Sequence, residues 1–188
     1  MSELIYASAA AIAKAIRTQE VSSREMAEAY VQRIEQVNPK LNAVVQMNVE
    51  SALLQAQQAD DELADGHVRG PLHGVPMTIK DNLDTADMVT TGGTKGRIGF
   101  VPEQDATVVS RLREAGAILL GKTNTPELTL AFETDNLIYG RTNNPYDLSR
   151  TSGGSSGGAA AIIAAGGIPF DIGSDTGGSI RHLPTFAV

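Results

Sequence analysis

Apolar and polar positions alternate along the chain in blocks that change period several times. Ser8 opens an alanine-rich stretch to about Arg17 with helical spacing. Ser22 and Glu25 then form the S-x-x-E pattern that starts a second helix, with Met26, Tyr30, Ile34 and Val37 on one face and Asn38-Pro39 expected to stop it. Asn42–Met47 reads as a short strand. Val49–Ala64 returns to helical spacing, with Gly66 placed to end it.

From Gly70 the pattern changes. Val75–Lys80 reads as a strand that enters the interior and is broken by Asp81-Asn82. Asp105 is expected to cap a helix with a face of Val108, Val109 and Leu112, ended by Gly116, and Ala117–Gly121 is an apolar strand. Strand, helix and strand joined by short links predict a βαβ unit. Asn143–Ser149, rich in Asn, Pro and Ser, reads as loop. Nine glycines lie between Gly153 and Gly178, flanking a helix over Ala159–Ala165 and a strand over Ile168–Ile172. Glycine at this density, arranged around regular elements, marks tight backbone geometry or close approach to a ligand, whereas a flexible linker would lack such order.

Composition narrows the chemistry. The chain of 188 residues is long enough for a hydrophobic core, which with 4% aromatic content must be built from Ala, Val, Ile and Leu. A net charge of −7 and singly scattered basic residues argue against direct nucleic-acid binding or an anionic membrane partner. No cysteine is present, which excludes disulfides, thiolate metal sites and a thiol nucleophile. With no basic-then-apolar leader in Met1 to Ala15, a soluble cytoplasmic protein is expected. The acidic cluster Asp60, Asp61, Glu62 and Asp65 reads as a solvated helix end.

Four chemistries compete for the remaining motifs. Gly116 to Thr123 has the letters of a P-loop, but a helix precedes it, a buried apolar run fills it, and Asn-Thr-Pro follows. Gly153-Gly154-Ser155-Ser156-Gly157 has the letters of a nucleophile elbow, which would need a strand before it and Asp171 or Asp175 with His182 after it. His67, His73 and His182 show no metal-ligand spacing. A serine served by a lysine base is the fourth, with Lys80 at the end of an apolar strand. On spacing alone Lys80 is better read as a strand-end lysine whose ammonium reaches water.

Resemblance bears on this choice. Gly74-Val-Pro-Met-Thr-Ile-Lys80-Asp-Asn82, Gly140-Arg-Thr-Asn-Asn-Pro145, Gly153-Gly-Ser-Ser-Gly-Gly158 and Gly173-Ser-Asp-Thr-Gly-Gly-Ser-Ile-Arg181 together resemble the amidase signature family. Glu20-Val-Ser-Ser23 and the run from Arg33-Ile-Glu to Asn38-Pro-Lys-Leu-Asn-Ala43 are similar to it too. The resemblance implies an α/β fold with a mixed, largely parallel central sheet flanked by helices, here lacking the C-terminal half. Residues 1–69 would form an N-terminal helical region and residues 70–188 the α/β catalytic portion. It implies a hydrolase of linear amides with a Ser-Ser-Lys triad: Ser179 as nucleophile, Ser155, after a cis peptide bond, as bridge, and Lys80 as base. Backbone N–H groups of Thr176, Gly177 and Gly178 would hold the oxyanion, with Gly154, Asp175 and Arg181 as supports. No cofactor is implied; the partner expected is a small-molecule amide.

The chain departs from the family pattern after Arg181. Two residues, His182 and Leu183, stand before Pro184 where one is usual, and Thr-Phe-Ala-Val follows. The expectation is a truncated domain, weak or inactive alone, that pairs with a complementing chain or a second copy. The competing expectation is a non-catalytic assembly module that keeps the half-fold.

Overall fold

A computed structural model of the chain describes residues 4–183. The departure read at Pro184 to Val188 lies outside the described residues. Helices and strands follow in order: α1 (Ala9–Arg17), α2 (Ser23–Leu41), β1 (Val44–Met47), α3 (Val49–Ala64), β2 (Pro76–Lys80), α4 (Thr107–Glu114), β3 (Ile118–Thr123), α5 (Gly157–Ala164) and β4 (Asp171–Ile172). Short 3₁₀ turns lie at Leu4–Tyr6, Lys95–Arg97 and Glu127–Thr129.

The strands form one sheet in the order β1-β3-β2-β4. β2 pairs in parallel with both β3 and β4, and β1 runs antiparallel to β3, so the sheet is mixed and largely parallel. The βαβ unit β2–α4–β3 is the expected one. Two cores lie on opposite faces. Ile118, Leu120 and Val75 pack with the buried sides of α1, α2, α3 and α5, while Met77, Ile79 and Leu119 pack with Val109 of α4 and Met88. The N-terminal helices and the later strands thus share one core.

Local chemistry accounts for the element ends. Ser22 and Glu25 form the capping box of α2. Asp60 is not a merely solvated member of an acidic cluster: its carboxylate accepts from the Ser23 and Arg24 backbone N–H groups at 2.7 and 3.0 Å, where the dipole of α2 favours negative charge. Pro39 does not stop α2, which runs to Leu41. Proline costs the last turn a single N–H, and Asn38 closes that turn by accepting from Ala43 and Val44 N–H at 2.8 Å and donating to the Val44 carbonyl. Asn42 then ends the helix in the left-handed region, at φ 51°.

Asp105 does not cap α4. Its carboxylate instead accepts from Ala86 N–H and pairs with Arg113, and Ala106 occupies the cap position. The strand expected over Ile168–Ile172 shrinks to two residues, because Pro169 has no N–H to offer a ladder.

The register of β2 against β3 contains a bulge. Met77 faces Leu119, but Thr78 faces Gly121, so Leu120 is skipped. One skipped residue exchanges the faces of everything after it. Thr123 therefore lies on the face of Thr78 and Lys80, and Lys122 lies on the opposite face with Ile79. There Lys122 is fully buried and donates to the Leu83 carbonyl at 2.6 Å, Thr85 Oγ1 at 2.8 Å and Thr90 Oγ1 at 3.1 Å, pinning the loop that follows β2. This is a structural lysine within a strand, with none of the loop geometry of a phosphate cradle.

Stability measurements can check this packing at two points. In Gly158→Ala a Cβ would sit 2.7 Å from the Ala43 carbonyl oxygen and closer still to the Asn124 backbone N. The expected cost is about 1–3 kcal/mol, read as a lower urea midpoint at unchanged slope. Lys122→Met strands three acceptors and should lower stability by about 2 kcal/mol or more in the same measurement.

Candidate active site

β2 delivers Lys80 to the interior at its last residue, and the ammonium does not reach water: the residue is fully buried. The reading of Lys80 as a water-seeking strand-end lysine is therefore overturned. Its Nζ lies 2.7 Å from Ser155 Oγ, 3.0 Å from Ser156 Oγ and 3.0 Å from Ser174 Oγ. Burial pushes the amine down from its ordinary range to about 8, and the charges of Asp171 and Asp175 oppose that shift.

Ser155 and Ser156 precede α5. The peptide bond between Gly154 and Ser155 is cis. A side chain at position 154 would meet the backbone of Phe132 and Glu133 at 2.9–3.0 Å, so Gly154 allows the close approach. The Ser155 carbonyl accepts from Thr125 Oγ1 at 3.1 Å. Ser156 Oγ exchanges hydrogen bonds with the backbone of Ser174, and Ser156 N–H donates to the Ser179 carbonyl at 3.3 Å.

That last bond fixes the backbone of Ser179 beside the serine pair. Ser179 is 6% exposed, and among the described residues its hydroxyl makes no hydrogen bond to Ser155. The structure thus brings Lys80 and Ser155 into contact and holds Ser179 next to them, with the final hydroxyl–hydroxyl contact open.

The loop ending at Ser179 is organised by Asp175. Its carboxylate accepts from the N–H groups of Gly178 at 2.7 Å, Ile180 at 3.1 Å and Arg181 at 3.2 Å, and takes both arms of the Arg181 guanidinium. Arg181 foremost, then these N–H groups, hold it well below the usual carboxylate range. The Gly178 N–H is thereby committed to Asp175. Thr176 and Gly177 are exposed, and their N–H groups have no partner among the described residues.

The competing constellations are not assembled. Asp171 is bonded to Thr78 and Thr123, and Asp175 to Arg181, so neither orients His182. The His182 ring instead packs over Gly178 and meets Phe132 edge-on, with centroids 5.8 Å apart. His73 is buried, with its ring nitrogens bonded to the Ala59 carbonyl and the Arg69 N–H. No group of three metal-ligating side chains occurs among the described residues. None of the described helices is long and apolar enough to cross a membrane.

The second and third partners of Lys80 are not foreseeable from the sequence. The resemblance gives the bridge to Ser155, yet the Ser156 hydroxyl is only 0.3 Å farther from the amine (3.0 against 2.7 Å). Ser174 carries no signal beyond being one serine in a glycine-rich run. Asp171, Thr78 and Thr123 form a cluster on the face of Lys80, visible in principle from strand alternation but only once the bulge is known.

Comparison with known proteins identifies the family and the fold. Residues 25–185 match the sequence model of the family described as Amidase. The chain is 47% identical over 184 residues to a glutamyl-tRNA(Gln) amidotransferase subunit of Carboxydothermus hydrogenoformans, covering 98% of this chain and 38% of that protein. Its fold superposes on a fatty acid amide hydrolase with a TM-score of 0.91 at 33% identity, covering 95% of this chain and 32% of the other. A bacterial aryl acylamidase of the amidase signature enzymes gives a TM-score of 0.88 at 35% identity, with 93% and 36% covered. The chain thus spans well under half the length of these relatives. Motifs, sheet and sequence all converge: this chain belongs to the amidase family.

Proposed function

We propose that this chain carries the acyl-transfer centre of an amide hydrolase, with Ser179 as nucleophile, Ser155 as bridge and Lys80 as base. The observation that carries the reading is the buried Lys80 amine 2.7 Å from Ser155 Oγ. A lysine is a base only when it has lost its proton, and burial brings that loss down to about pH 8. The N-terminus of α5, directly after Ser156, adds positive potential in the same direction.

In this mechanism Ser155 gives its proton to Lys80 Nζ and takes the proton of Ser179. The Ser179 oxygen bonds to the amide carbonyl carbon, and the negative charge passes to the carbonyl oxygen. The Thr176 and Gly177 N–H groups are the free donors for that oxyanion, and Gly178 adds a third when its N–H leaves Asp175. The carbon–nitrogen bond then breaks, and the proton returns through Ser155 to the departing amine. Water repeats the relay on the acyl-serine, releasing a carboxylate and restoring Ser179. Gly154, Asp175 and Arg181 support the geometry, and the scheme calls for no cofactor.

The substrate class is a carbon–nitrogen amide, and linear amides are the proposed set. The relative named as a glutamyl-tRNA(Gln) amidotransferase subunit points to an amidotransferase assembly as one setting for such a centre. The net charge of −7 makes direct contact with a polyanion the task of a partner in that setting. A cytoplasmic location accords with the absence of cysteine. The chain spans 38% of that relative, so full activity is proposed for it only together with the remainder of the amidase fold, whether that comes from the same protein, a complementing chain or a second copy.

A second reading, a non-catalytic assembly module, is favoured by one observation: the Ser179 hydroxyl is not bonded to Ser155. A serine-directed phosphonate separates the two. Adduct at Ser179, located by peptide mass spectrometry and slowed about 10²–10⁴-fold in Lys80→Ala, is the result expected of the hydrolase. Absence of adduct at every pH would leave the module.

The pH dependence carries a definite sign. Lys80 must be neutral to act, so the labelling rate should climb as pH rises and level off above about 8. A rate that stays flat through that rise contradicts Lys80 as the base.

A further inference from the structure

On the face of the sheet that carries Lys80, a carboxylate is held in place with no part in the mechanism above. Asp171 sits on β4 opposite Thr78 of β2. Its Oδ2 accepts from Thr78 Oγ1 at 2.6 Å and from Thr123 Oγ1 at 3.0 Å, so one oxygen is clamped from two neighbouring strands. Thr78 and Lys80 alternate on β2 and share a face, and Thr123 is the register partner of Lys80. The other oxygen, Oδ1, is buried and has no partner among the described residues.

An aspartate with one oxygen doubly bonded and the other dry is a poor structural device. A threonine or asparagine would bind the same hydroxyls without the cost of a buried charge. Its charge therefore needs an electrostatic role, and the cation on its own face of the sheet is Lys80.

Resting on the reading of Lys80 as base, we propose that Asp171 is the counter-charge of Lys80, a positioning residue that fixes the pH at which the lysine gives up its proton. Burial alone drives the amine towards neutrality, and the carboxylate on the neighbouring strand opposes it. The charged groups that face the pair are few. Lys80 feels Asp171 and Asp175, and Asp171 feels Lys80 and, through the sheet, Lys122. α5 presents Ser156, Ala159, Ala160 and Ile163 beside Asp171, with no charge among them. Asp175 is paired with Arg181 at 2.8 Å, whereas Asp171 is bonded to hydroxyls and to no cation, so of the two carboxylates it is the one left without a cationic partner.

The two protonations are thereby linked. Burial raises Asp171 to about 6, and Lys80 stands at about 8. Between those values the pair is ammonium and carboxylate. Above them the amine is free for Ser155 while Asp171 stays ionised. Replacing the carboxylate by a neutral group removes the restraint, so the amine should lose its proton at lower pH.

The test titrates Lys80 directly in the full 188-residue chain labelled with ¹³C at lysine Cε, its resonance assigned by loss in Lys80→Arg. The midpoint in Asp171→Asn is expected about one pH unit below wild type, raising the neutral share of the amine at pH 7 from about a tenth to about a half. In wild type alone, the Lys80 curve should also show a smaller inflection near pH 6, where Asp171 titrates. That second measurement decides the matter if Asp171→Asn does not fold. A single-inflection wild-type curve, or a midpoint unmoved in a folded Asp171→Asn, overturns the assignment. Phosphonate labelling of Ser179 on the same samples keeps the two readings apart. A moved midpoint with Ser179 unlabelled removes the hydrolase and leaves the counter-charge, and a labelled Ser179 with an unmoved midpoint does the reverse.

Discussion

A lysine amine buried among three serine hydroxyls is the constraint on which the rest of this structure depends. Taking an ammonium out of water costs several kcal/mol, and a fold tolerates it only when the group is surrounded by hydrogen-bonding partners or sheds its charge. Around Lys80 both conditions are met in part. Ser155, Ser156 and Ser174 supply the partners, and burial lowers the proton affinity. The serines come from two separate segments, so holding the amine also ties the start of α5 to the loop after β4. A separate bond from the same segment, Ser156 N–H to the Ser179 carbonyl, sets the position of the Ser179 backbone.

The bulge in β3 gives this arrangement its second half. Without the skipped Leu120, Lys122 would project onto the face of Lys80, and two cations would compete for one cluster of acceptors. With it, Lys122 turns to the α4 face and finds the Leu83 carbonyl, Thr85 and Thr90, while Thr123 turns inward to Asp171. A one-residue irregularity thus sorts two buried lysines into different tasks. One braces a loop, and the other stands among hydroxyls. Their proton affinities fall to about the same value for the same reason, burial, which shows that a lowered lysine is not in itself a mark of chemistry. Neighbours distinguish them: Lys80 faces serines that lie beside Ser179, and Lys122 faces a carbonyl and threonines of its own scaffold.

Much of the frame is legible in the sequence because its signals are local. The capping box at Ser22, the helical period of α2 and the βαβ spacing from Val75 to Gly121 each follow from short-range chemistry. The departures share a cause as well. Asp105 and Pro39 suggest what such residues do in an isolated helix, but distant groups or a neighbouring side chain decide their roles. Lys80 is ambiguous for the same reason. Whether a strand-end lysine reaches water depends on what covers it, and its cover arrives 75 residues later in Ser155. The motifs indicate which residues gather at the site, whereas the bulge, the clamp on Asp171 and the capture of the Gly178 N–H by Asp175 arise only from tertiary register.

Small residues make this crowding possible. α5 begins Gly157-Gly158-Ala159-Ala160-Ala161, all buried, and a Cβ at Gly157 or Gly158 would strike Thr134, Ser152 or the Asn124 backbone. Larger residues there would push the start of α5 off these neighbours, and Ser155 and Ser156, which immediately precede it, would be moved with it. The glycines cost helix propensity, roughly 1 kcal/mol each against alanine, and nothing in α5 offsets that through capping. What holds the helix is burial of its alanine and isoleucine side chains against α2 and β2. The apolar alanine-rich composition and the reactive geometry are therefore one requirement: a lysine can be kept dry beside two serines only where the segment carrying those serines has almost no side chains to keep it away.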